Sequence, residues 1–138
     1  MTAKHAGVQF WDTSALVSLL FQERHTPLAL KARDSGKRCI AWDWLQVEVQ
    51  AAIHRRRGAQ EMLRSMKLML DQFQFFSVFP DDHQAIGRLL EKHRLRAADA
   101  GHLFCLKQAK KMNPEIQFIC FDDELNKAAE AEGIEIFG

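Results

Sequence analysis

The 138-residue chain has little from which to build a disulfide or thiolate–metal framework. Its three cysteines, Cys39, Cys105 and Cys120, are widely spaced and form no CxxC pair. An odd, dispersed set suits reduced thiols in the cytosol better than a secreted, cross-linked scaffold. Long hydrophobic runs are missing too: Ala15–Phe21 and Phe73–Phe79 are broken by Ser or Gln and are far too short to span a bilayer. The opening residues, MTAKHAGVQFWD, hold no apolar stretch of the kind a secretory leader needs. The expectation is a cytoplasmic protein without a membrane partner. Charge imbalance is absent, with 19 Lys+Arg against 18 Asp+Glu, so any nucleic-acid site must be a local patch. Internal repeats, low-complexity tracts, a P-loop, GxSxG and GxGxxG are all lacking.

What is there is an ordinary globular composition, 47% hydrophobic and 27% charged, which excludes disordered, collagen-like and coiled-coil classes. The length suits one domain over residues 1–138. Short strand-like runs alternate with helical patterns, the mark of an α/β protein with a parallel sheet. Strands are predicted at Val8–Trp11, Arg38–Trp42, Phe75–Phe79, Ile116–Phe121 and Ile134–Phe137. Helices are predicted at Ser14–Glu23, from Thr26 (as N-cap, with Pro27 opening the helix) to Gly36, at Trp44–Arg57 with Asp43 as cap, at Ala59–Phe73, from Asp81 or Asp82 to His93, at Ala97–Lys111 and at Asp123–Glu132.

In such a sheet, ligands bind beyond the carboxyl ends of the strands, so an acid directly after a strand is of interest. Asp12 and Asp122 both stand there. Each has a structural reading as well: Asp-Thr-Ser at a strand–helix junction can simply cap the helix, and acids at a helix N-terminus are stabilising in themselves. At the second site Asp123 is placed to cap, which would leave Asp122 free at the strand tip. Glu48 borders the apolar stripe of Leu45, Val49, Ala52 and Ile53, where it needs a cationic partner, water or a metal. Asp99 sits in the first turn of an Ala- and Leu-rich helix, with His102 three residues on. That histidine reads more readily as a packed, hydrogen-bonded residue than as a ligand. Four carboxylates without a thiol or imidazole cluster suit Mg²⁺ or Mn²⁺, ions that keep several waters and bind phosphates, and phosphodiester hydrolysis is the chemistry they serve. Thr13 and Ser14 could cap the helix or bond a metal water or the phosphate.

The segments WDTSAL, VEVQAAIHR, LRAADAGHL and FICFDDELNKAAEAEGIEIF, in this order, resemble PIN-domain ribonucleases, and among them the VapC-type toxins of bacterial toxin–antitoxin pairs. The resemblance covers nearly the whole chain. It implies a three-layer α/β/α sandwich with a five-stranded parallel sheet in order 3-2-1-4-5, and an acidic metal site of Asp12, Glu48, Asp99 and Asp122 with Asp123 beside it. The implied activity is Mg²⁺- or Mn²⁺-dependent RNA endonucleolysis. Implied partners are a small antitoxin that inserts a segment near the site and a second copy of the chain, giving a homodimer or a larger assembly such as a heterotetramer with the antitoxin. Gly101 departs from the family, which usually has a larger apolar residue after Asp-Ala; packing beside Asp99 is expected to differ.

Basic residues gather at His54–Arg57, Arg88–Arg96 and Lys107–Lys111. Each group also suits the negative end of a helix. If the protein cuts RNA, Arg55, Arg56 and Arg57 are the first choice for phosphate contacts, because they continue the helix of Glu48. Trp11, Trp42 and Trp44 near strand ends, and the Met62, Met66, Met69 stripe, read most simply as packing. Two other functions stay open on sequence alone: a housekeeping RNA-processing nuclease, and a non-catalytic domain that binds RNA or protein.

Overall fold

A computed structural model describes residues 7–138; residues 1–6, part of the opening stretch and of the expected domain span, lie outside the described residues. The chain runs β1 (Val8–Trp11), α1 (Thr13–Leu20), α2 (Thr26–Arg33), β2 (Arg38–Trp42), α3 (Leu45–Arg55), α4 (Gln60–Leu70), β3 (Phe73–Phe76), α5 (His83–His93), α6 (Ala97–Met112), β4 (Gln117–Ile119), α7 (Asp123–Ala131) and β5 (Glu135–Ile136). The strands form one parallel sheet in the order β3-β2-β1-β4-β5. The resemblance implied that order. It puts β1 beside β4, with Phe10 opposite Phe118 and Trp11 opposite Ile119. The sheet is therefore built outward from β1 in both directions, and the crevice of a parallel sheet opens where the order reverses, at the tips of β1 and β4.

Strand alternation sorts the core into two layers. Phe10, Ile40 and Phe118 face α5, α6 and α7, where Leu89, Leu103, Leu106 and Leu125 are buried. Trp11, Ala41 and Ile119 face the opposite side, against Leu16, Leu45, Val49, Ile53, Met66 and Leu70 from α1, α3 and α4. Met62 and Met69 pack at the edge of this second layer, so the methionine stripe is core. No helix among the described residues is long and apolar enough to cross a membrane.

Several element ends differ from the expected ones. The third strand is Phe73–Phe76 rather than Phe75–Phe79, because β2 pairs Cys39 with Phe73 and Trp42 with Phe76; the helix before it stops at Leu70 accordingly. Asp43 does not cap α3. Its carboxylate accepts a bond from the Ser77 hydroxyl at 2.6 Å, and the helix starts at Leu45 without a side-chain cap. Thr26 lies inside α2 rather than capping it: its hydroxyl donates to the Ser18 carbonyl at 2.7 Å and accepts from the Glu23 N–H at 2.8 Å. Asp82 precedes α5 without a side-chain bond to that helix, and accepts instead from the Phe79 N–H.

Candidate active site

Asp12 is the first residue after β1 and is 4% exposed. Extended backbone there makes it the N-cap of α1, and its Oδ2 accepts from the Ser14 N–H at 3.2 Å and from the Ser14 hydroxyl at 2.7 Å. The Ser14 Oγ in turn accepts from the Phe121 N–H at 3.0 Å, and the Asp12 N–H donates to the Ile119 carbonyl at 2.9 Å. The tips of β1 and β4 are thereby tied together. The same ties explain why β4 ends at Ile119, short of Phe121: the next backbone donors bond to Ser14 and Cys120 instead of a neighbouring strand. Capping uses one carboxylate oxygen of Asp12; the other, Oδ1, lies 3.7 Å from His102 Nε2.

Asp122, not Asp123, caps α7. Its Oδ1 accepts from the N–H groups of Glu124 at 3.0 Å and Leu125 at 3.2 Å, which corrects the expected division of labour. Asp123 is the exposed first residue of the helix. No described residue bonds Asp122 Oδ2, and the charge of Asp122 still reaches Asp99.

Glu48 meets the sheet tip from α3. Its Oε1 accepts the Thr13 hydroxyl at 2.7 Å and stands 2.6 Å from His102 Nε2. The partner that a half-buried acid requires is thus an imidazole and a hydroxyl rather than Arg or Lys. Burial pushes the Glu48 carboxyl up, but the bond and charge of His102 and the bond from Thr13 outweigh it and hold the group below its ordinary value. His102 is 1% exposed. Burial disfavours its charged form, yet Asp12, Glu48 and Asp99 together raise its pKa. Its Nδ1 has no hydrogen-bond partner among the described residues. The sequence reading of His102 as a packed residue is half the answer: it is buried, and it also joins Asp12 to Glu48. The available signal was its i,i+3 spacing from Asp99, which puts both on one face of α6.

Gly101 has a structural reason. A Cβ built there would lie 2.5 Å from the Trp42 ring, so the indole fills the volume that a larger residue would occupy. Trp42 then packs edge-on against His102, ring centroids 5.0 Å apart. Of the other tryptophans, Trp11 is core and Trp44 is exposed.

Asp99 enters in the first turn of α6. Its pKa rises to about 6, first through burial and then through the charges of Asp12 and Asp122, with His102 and Arg96 only partly offsetting them. The charges of Asp12 and Asp122, at the tips of β1 and β4, thus reach Asp99 at the start of α6, where Arg96 Nε stands 3.9 Å from its Oδ2. Among the described residues no three His, Cys, Asp or Glu side chains close on one point as a ready-made ion cage. The donors are hard carboxylate oxygens, and their mutual repulsion is what a hydrated Mg²⁺ or Mn²⁺ relieves; by that chemistry the residues fit such an ion.

A cleft of about 470 Å³ adjoins the acids, between the segment joining α1 to α2 and the outer face of α3; Thr13, Ser14 and Glu48 line its inner end. The three expected arginines part company here. Arg55 and Arg56 both line the cleft. Arg56 pairs with Glu23 and covers the Phe21 ring at 4.8 Å. Arg57 sits at a left-handed turn (φ 56°) beyond the end of α3. On the far face, Lys92, His93 and Lys107 converge on Glu132.

The PIN-domain family profile matches residues 10–131. No curated protein matches the chain at a significant level. PIN domains are generally nucleases and usually use divalent metals. The matched span contains the whole acidic pocket, both strand tips and the helices that carry Glu48 and Asp99, and the chain belongs to the PIN-domain family.

Proposed function

We propose that this chain is a Mg²⁺- or Mn²⁺-dependent endoribonuclease, the toxin of a toxin–antitoxin pair, held inactive by a small antitoxin and assembling as a homodimer or with that antitoxin. One observation carries the nuclease reading: Asp12, Asp99 and Asp122, carboxylates from three separate elements, lie within reach of one another's charge, which with burial raises the Asp99 pKa to about 6. Keeping like-charged acids close together costs stability, a cost that an ion-binding role explains.

Asp12, Asp99 and Asp122 would hold the ion, with Glu48 at the edge of the set. Once bound, such an ion lowers the pKa of a water and neutralises charge on the phosphate. Ser14 fixes Asp12 through two hydrogen bonds to Oδ2 and leaves Oδ1 beside His102. Thr13 and His102 fix Glu48 in the same way. The buried imidazole, flanked by Trp42, excludes water from the floor of the site. The toxin role and the partners are supported by the likeness of the four acidic segments to VapC-type toxins.

The test is cleavage of a cellular RNA pool by purified protein with Mg²⁺ or Mn²⁺, with EDTA, and by Asp12→Asn and Asp99→Asn prepared identically. Asparagine still caps a helix, so Asp12→Asn should fold. The expected result is discrete fragments that vanish with EDTA and fall on the order of 100-fold or more in both variants. Equal cleavage by wild type and variants would sink the nuclease reading. Growth arrest on expressing the chain alone, with rescue by the product of an adjacent small gene, separates a toxin from a housekeeping nuclease.

A further inference from the structure

The cleft beside the acids has features the acidic site does not use. His25 and Phe121 stack there with centroids 4.6 Å apart and planes within 8° of parallel. Phe121 is not a loose surface ring: its N–H donates to the Ser14 hydroxyl that fixes Asp12, and Asp122 follows it directly. The aromatic pair is therefore anchored to the strand tip that carries the acids. Across the cleft, α3 presents Glu48 at the inner end and Arg55 seven residues on, about 10 Å away along the helix. Glu23, the other acid lining the cleft, is already matched by Arg56 and by the Ser18 hydroxyl at 3.0 Å. Arg55 has no acidic partner among the described residues. The cleft thus offers a flat ring platform and an uncommitted cation, one step beyond the carboxylates.

We propose that this cleft seats the unpaired nucleotide next to the scissile phosphate, its base on the His25–Phe121 stack and its outer phosphate at Arg55. The inference rests on the nuclease reading. Base faces stack on flat rings, His included, whatever the base, and a guanidinium pairs with phosphate. The cleft's volume lies within the range of sites that enclose small molecules, roughly 300–1,000 Å³. A base held in a duplex cannot reach a platform recessed beside a helix, so the strand must be open at the cut. A peptide would want a continuous apolar groove, whereas polar and charged side chains make up most of this lining.

Binding of fluorescein-labelled A6 and U6 RNA, read by anisotropy in EDTA with the Asp99→Asn protein, separates recognition from cleavage. His25→Ala and Arg55→Ala should each weaken binding about tenfold, and Arg55→Ala should lower the slope of log affinity against log salt by about one. His25→Phe keeps a flat ring and should restore most of the loss. Lys111→Ala, on the remote face of α6, should bind as the parent does. In the otherwise native chain, His25→Ala should raise KM while cleavage stays EDTA-sensitive. Parent-like binding by both variants, with metal-dependent cleavage intact, overturns the subsite alone. Unchanged RNA binding with loss of inhibition by the antitoxin also overturns it, and makes the cleft a protein seat. Absence of both RNA binding and metal-dependent cleavage in the unsubstituted chain overturns this inference and the nuclease reading together.

Discussion

Replacing Glu132 by glutamine removes one charge and keeps the side-chain shape, in a place where the structure gives that charge much to do. Glu132 is the C-cap of α7, where a carboxylate opposes the negative end of the helix dipole. Its side chain is only 7% exposed. Lys107 bonds Oε1 at 2.7 Å, while His93 at 2.6 Å and Lys92 at 2.9 Å meet Oε2, so one carboxylate joins α5, α6 and α7. The Lys107 bond leads in pulling the pKa down to about 2; burial works against it, and His93 and Lys92 add to it. At full strength a fall from the ordinary 4.5 to about 2 corresponds to about 3 kcal/mol of stability. Lys92 and Lys107 are 61% and 39% exposed, and screening by water cuts the figure to about 1–2 kcal/mol. Glu132→Gln should lose that much in urea unfolding at pH 7, with the same m-value. Because the folded-state pKa is depressed, the contribution is complete above the unfolded-state value and is lost as pH falls through the folded one. The gap between wild type and variant should therefore narrow below about pH 5 and be about half closed near pH 3. A gap under ~0.3 kcal/mol at pH 7, or one that does not shrink in acid, would refute the reasoning.

Two further outcomes test the packing around the acids. Gly101→Ala puts a methyl 2.5 Å from the Trp42 ring and should cost about 1–3 kcal/mol by overpacking, with part recovered by adding Trp42→Phe; a single variant that melts with wild type shows that the indole does not fill that space. Burial first, then the charges of Asp43 and Asp82, push the Cys105 thiol up to about 12, and burial leads the rise at Cys120. In the native protein at pH 8 both should stay unreacted with a disulfide reagent that titrates all three thiols after denaturation, and rapid loss of the Cys120 thiol would contradict its packing against Asp12.

The elements that a local pattern can specify were legible. β1 and β2 have the expected ends, because each is a short, mostly apolar stretch bounded by turn residues on both sides. The four acids stand out for a similar reason: Asp12 and Asp122 follow strands, Asp99 is in the first turn of an apolar helix and Glu48 borders an apolar stripe, all conspicuous without any knowledge of their neighbours. Convergence of Asp12, Asp99 and Asp122 needed the order of the strands, which came from the family resemblance and not from periodicity.

What stayed hidden depends on partners distant in sequence. Read along the chain, Asp123 is the acid placed to cap; the choice of Asp122 is made where β4 leaves the sheet, next to the bond from the Phe121 N–H to Ser14, 107 residues away. Glu48 and His102 are 54 residues apart, so each looked like a lone polar group on an apolar face, and the bland reading of each was reasonable. Gly101 looked like lost core volume because the indole that replaces it is carried by β2. These three cases have one physical origin. The sheet order brings the ends of β1, β2 and β4 and the start of α6 to a single point, so small changes there are answered by side chains from elements that share no local sequence. Trp42 filling the space over Gly101 also backs His102, and His102 holds Glu48 beside Asp12. The space left by a glycine two residues from Asp99 is thereby filled from a neighbouring strand, while the acidic positions are left intact.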